Sequence, residues 1–83
     1  MIIDEYLEEG RITIAQHRAA GQLLGEGAGK ALEAIERREG PYAAYITREI
    51  VEFGHDGRGQ HGQMEALSAA LSVVCENSMN GSR

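Results

Sequence analysis

The side chains best suited to chemistry gather in one short polar stretch, where His55, Asp56 and His61 lie within seven residues of one another. With His17 or Cys75 as a further donor they would approach the ligand set of a zinc ion. Zinc needs three or four converging donors, however, and structural sites declare themselves by close pairs such as Cys-x-x-Cys. No such pair is present, and Gly57, Gly59 and Gly62 favour a turn that leaves both imidazoles in water. The stretch also lacks the run of oxygen ligands and the closing Glu of a calcium loop. A second candidate is Gly25-Glu-Gly-Ala-Gly29-Lys30-Ala31. A phosphate-binding loop requires Gly-x-x-x-x-Gly-Lys-[Ser/Thr], but Leu24 stands at the first glycine and Ala31 at the hydroxyl. Cys75 falls on an apolar stripe, where a thiol behaves as a small hydrophobe. Ser68, Ser72 and Ser78 have no partner set for nucleophilic attack, and the pairs Glu8 with Glu9 and Glu49 with Glu52 read as solvated faces. The chain is therefore expected to be no enzyme, with no cofactor and no metal.

The elements that position these residues turn on a run of glycines. Gly21, Gly25 and Gly29 are spaced four apart, with Gly27 between the last two, in an otherwise helix-forming segment. Each glycine inside a helix costs roughly 0.8–1 kcal/mol relative to alanine. Either close packing offsets four such costs, or the helix breaks between Gly25 and Gly29. In the first case Gly21, Leu24, Gly25, Ala28, Gly29 and Leu32 form a smooth strip for a tight helix crossing or an oligomer interface. Whether 14–39 is one helix or two is left open by the pattern.

Residues 2–9 read as a short helix with Ile2, Ile3, Tyr6 and Leu7 inward and Asp4, Glu5, Glu8 and Glu9 outward, stopped by Gly10. Thr13 and Gln16 match a capping box, so a helix should begin at Ile14. Its apolar positions Ala20, Leu24, Ala28, Ala31 and Ile35 recur at helical steps up to Gly40, with Glu33 and Arg37 spaced for an ion pair. Pro41 suits a new first turn. From there Tyr42, Tyr45, Ile46, Ile50 and Phe53 share a face, and Gly54 is placed to end the helix. Met64, Leu67, Leu71, Val74 and Cys75 or Ser78 make the stripe of a last helix over 63–77. The expectation is an all-α fold, a small bundle of three to four antiparallel helices over 1–76, followed by a flexible tail at 77–83.

One resemblance bears on function. Ile12-Thr13-x-x-Gln16-x-x-Ala19-Ala20-x-x-Leu23-Leu24-Gly25 resembles the first helix and turn of the repressor-type helix-turn-helix family, with Leu32 and Ile35 in the second helix. The resemblance implies a DNA-binding regulator built on 14–39, its second helix in the major groove and Lys30, Arg37 and Arg38 on phosphate. Glu26, Glu33, Glu36 and Glu39 lie among those cations, a balance unfavourable for a polyanion.

Composition points elsewhere. The chain has 83 residues, 13 acidic and 8 basic side chains and a net charge of −5, which disfavours nucleic acid as partner. A single domain of this size has a modest core, here poor in aromatics: three Tyr, one Phe and no Trp. Small cores draw support from disulfides, metals or self-association. One cysteine forms no internal disulfide, so a homodimer is expected to complete the core. There is no basic leader before the first apolar residues and no apolar run long enough for a bilayer, and the lone thiol fits a reducing compartment; the expected location is cytoplasmic, without membrane contact. The reading is a non-enzymatic protein-interaction module: an adaptor, assembly subunit or stoichiometric inhibitor of a larger complex, by class analogy of the type carried by phages and mobile elements. Asp4, Glu5, Glu8, Glu9, Tyr42, Tyr45 and Arg48 are the expected contacts with a protein partner.

Overall fold

Thr13 and Gln16 close the predicted capping box: the Gln16 amide donates to Thr13 Oγ1 at 3.0 Å, and the Thr13 amide donates to Gln16 Oε1 at 2.9 Å. Local signals of this kind recur along the chain, at Gly40 and Pro41 among others. The computed structural model describes the backbone of residues 1–81 and the side chains of residues 1–77. Among the described residues there are five helices and no strand: α1 (Ile2–Glu8), α2 (Ile14–Gln22), α3 (Ala28–Glu39), α4 (Pro41–Val51) and α5 (Gln63–Gly81).

The five helices, where three or four are expected, result from a break in 14–39. The chain leaves the helix after Gln22 and re-enters it at Ala28, so α2 and α3 are separate. The glycine strip is thereby corrected. Gly25 lies in the turn, Gly27 caps α3 and Gly29 stands in its first turn. Gly21 and Gly29 remain helical, Gly21 as the last but one residue of α2 and Gly29 as the second residue of α3. A Cβ at Gly21, Gly25, Gly27 or Gly29 would meet nothing within 4 Å, so no second backbone of this chain nestles there. The physical reason is the cost: breaking the helix takes Gly25 and Gly27 out of it and moves Gly21 and Gly29 to helix ends. Leu24, expected inside, is exposed in the turn, and Leu23 is buried in its place.

The last helix runs on to Gly81, so residues 77–81, expected as a tail, are helical; 82–83 lie outside the described residues, as does the side chain of Ser78. α5 packs against α2, α3 and α4, α3 also packs against α4, and α1 rests on α2 and α4. Ile35, Ile50, Val51, Leu67, Leu71 and Val74 are fully or almost fully buried at the centre, joined by the small side chains Ala19, Ala20, Ala34, Ala43, Ala44 and Ala70. The radius of gyration is 11.5 Å, close to the roughly 12 Å of a compact domain of this length.

A polar tie and a glycine corner join helices around this small core. Gln16, already in the capping box, is buried, and its Nε2 donates to the Ser68 carbonyl at 3.1 Å and to Ser68 Oγ at 3.0 Å. It thus fastens the start of α2 to α5. Gly40 joins α3 to α4 at φ 99°, ψ 165°, a region open essentially to glycine alone. That conformation lets one residue close α3 and open α4 with Pro41 in the first turn. Of the expected surface pairs, Glu33 with Arg37 does not form; Arg38 Nη1 instead reaches Glu76 Oε2 on α5 at 2.7 Å.

Candidate functional site

Tyr42, Tyr45 and Phe53 are 57%, 59% and 60% exposed, whereas Tyr6 is fully buried. Three of the four aromatic side chains in a chain short of core material therefore face water. They stand on one side of α4 and the turn that follows it, at spacings of three and eight residues, while Ile46, Ile50 and Val51 carry the other side into the core. The stripe expected from Tyr42 to Phe53 is thus divided, its aliphatic members inward and its aromatic members outward.

Arg48 organises this face. Its Nε donates to Glu52 Oε2 at 2.8 Å, one turn along the helix, and its guanidinium lies 5.6 Å from the centroid of the Phe53 ring. The cation holds the ring by its π face and loses part of its own freedom in doing so. Beside it, Leu32, Glu36, Pro41, Ala44, Tyr45 and Arg48 line a shallow groove of about 320 Å³ between α3 and α4. Amphipathic tyrosines, an arginine already held in place and an adjoining groove are the composition of energetically dominant contact residues.

The acidic residues of α1 make contacts within the fold. Asp4 accepts from the terminal ammonium at 3.3 Å and meets His17 Nε2 at 2.6 Å. Glu9 takes Arg11 at 2.7 Å and also Arg58, which reaches Glu5 at 3.5 Å. These bonds hold the carboxyls of Asp4 and Glu9 below their ordinary range, through His17 in the first case and Arg11 in the second. Three of the four acids are engaged within the fold; Glu8 alone has no ion partner among the described residues.

The 55–62 loop is not the free polar turn that sequence suggests. The Tyr6 hydroxyl accepts the Gly57 amide at 2.8 Å and donates to Asp56 Oδ1 at 3.3 Å. Arg58 covers the Tyr6 ring at 5.6 Å and grips Asp56 through Nε and Nη2 at 3.0 and 2.8 Å. That grip drives the Asp56 carboxyl far below the ordinary carboxylate range, while burial pushes the Tyr6 phenol up. Gly57 fits because it has no Cβ, which would stand 2.9 Å from Ile50 Cδ1. The lone aspartate and arginine flanking a glycine were the only hint of this latch in the sequence. His55 and His61 are exposed, and Cys75 Sγ donates to the Ala15 carbonyl at 3.3 Å.

The residues expected on DNA are exposed on α3, but Lys30, Arg37 and Arg38 share that helix with Glu33, Glu36 and Glu39, so its charge cancels. α2 and α3 each pack on α5 and scarcely touch one another, unlike the mutually braced pair of a helix-turn-helix. Comparisons with protein-family models, with curated proteins and with solved structures return no match to this chain.

Proposed function

We propose that this protein acts by docking onto a protein partner through the outer face of α4, with Tyr42, Tyr45 and Phe53 as anchors and Arg48 holding the face in shape. The observation that carries the reading is the outward placement of three of four aromatic side chains. Large apolar side chains exposed singly are ordinary on a protein surface, but a group of aromatics beside a groove marks an interaction site. In this reading the molecule performs no bond chemistry and works as a homodimer, the state expected of so small a core. Adaptor, assembly subunit and stoichiometric inhibitor all fit this mode of action. The neutral charge of α3 and the lack of bracing between α2 and α3 leave the DNA-binding reading with less support.

Photo-crosslinking in the native host tests the reading. A photoreactive residue at position 45 is expected to trap a discrete protein partner, and one at exposed position 33 is not. Tyr42→Ala and Phe53→Ala should abolish the adduct while leaving the thermal midpoint close to that of the parent chain, because neither ring contributes to the core. Equal adducts from both positions, or adducts that survive both substitutions, would overturn it.

A further inference from the structure

Gly21 is the penultimate residue of α2, and nothing in this chain packs against the side it leaves bare. A Cβ built on it would meet nothing within 4 Å. It forms part of an apolar hollow of about 160 Å³ where α1, α2 and α4 meet, lined by Met1, Ile3, Ala20, Gly21, Leu24 and Val51, with the Asp4–His17 pair at its edge. Around the hollow stand large apolar side chains in water: Met1 is 67% exposed, Leu24 49% and Ile14 65%. Ile14 lies seven residues before Gly21, hence on the same face of α2. The surface therefore offers a knob, Leu24, three residues from a hole at Gly21.

A knob and a hole side by side on one surface are what a two-fold contact requires, because each copy then supplies what the other receives. We propose that α2 is the homodimer interface: two α2 helices cross antiparallel at Gly21, and Leu24 of the partner subunit fills the hollow. This rests on the homodimer reading above and assigns it a surface that shares no residue with the α4 face. The absence of a Cβ allows the two helix backbones to approach closely. Charge agrees with the register. Arg18 lies one turn before Gly21 and Glu26 just beyond Leu24; both are exposed, and neither has an ion partner among the described residues. An antiparallel crossing at Gly21 lays Arg18 of each copy beside the turn that carries Glu26 of the other. With the α4 faces left free, the dimer presents two docking surfaces.

Sedimentation equilibrium on the full chain tests the proposal. The parent chain is expected to dimerise, and Gly21→Leu and Leu24→Glu should each raise the dimer Kd by about tenfold or more. Circular dichroism should show both variants folded, since position 21 has open space around it and position 24 faces water; should Gly21→Leu fail to fold, Leu24→Glu carries the test. Arg18→Glu should weaken the dimer, and adding Glu26→Arg to the same chain should restore it. A parent chain that stays monomeric at every concentration overturns the homodimer reading and the interface together. A dimer indifferent to Gly21→Leu and Leu24→Glu preserves the homodimer and overturns this interface. Failure of the charge exchange to restore association overturns the antiparallel crossing.

Discussion

Thr47 is fully buried on α4, yet its hydroxyl has no hydrogen-bond partner. An unpaired buried hydroxyl costs about 1–3 kcal/mol in proteins. Thr47→Val keeps the shape and discards the polar atom, so it should raise stability by about 1 kcal/mol, read as a higher urea midpoint at unchanged slope. Tyr6 is the opposite case, a buried hydroxyl with both of its roles used. Tyr6→Phe leaves the Gly57 amide buried without an acceptor and should cost about 1–3 kcal/mol. If the same urea titration gave a parent-like midpoint, the Tyr6 hydroxyl would have no part in holding the loop. At this scale the sequence was informative about Thr13 and Gln16, whose reciprocal cap is local. It was silent about Tyr6, whose partners lie some fifty residues away.

Helix boundaries follow from residues that act on their own neighbours. Gly10, Pro41 and Gly54 stop or start helices where expected, because positive φ and a missing amide are local properties. Gly40 is the most demanding of these positions, and Gly40→Ala should destabilise by about 1–3 kcal/mol through backbone strain. Chemical denaturation of that single variant checks it: a loss well below 1 kcal/mol would mean that the α3–α4 corner relaxes freely. The break between α2 and α3 was harder to read. A run of glycines is compatible with close packing or with a turn, and only the neighbours available to Gly25 and Gly29 distinguish them. No neighbour is there, so the chain turns, taking Gly25 out of the helix and leaving Gly29 at the start of the next one.

At the level of the whole molecule, α1 is tied down by charge as well as by burial. Asp4, Glu9 and Asp56 all have carboxyls held below their ordinary values by cations on or beside α1. For such groups the stabilisation is complete above the unfolded-state pKa and disappears as pH falls through the folded-state one, because the unfolded chain takes up protons first. The thermal midpoint should therefore drop as pH falls below about 4, and Asp56→Asn should flatten that dependence. A parent chain with a level midpoint across this window would show that these ion pairs add nothing.

An acidic, aromatic-poor chain of this length, patterned at helical spacing and punctuated by glycine and proline, specifies a small helical domain without further information, since period, caps and breakers act over a few residues. Packing settled the rest. It sent Ile46 and Ile50 inward and left Tyr42, Tyr45 and Phe53 in water, a division that their shared helical spacing does not make. It also drew Asp56, Gly57 and Arg58 onto Tyr6 and left Gly21 beside an unfilled hollow. Those outcomes depend on which helix lies against which, a matter of contacts between residues far apart along the chain.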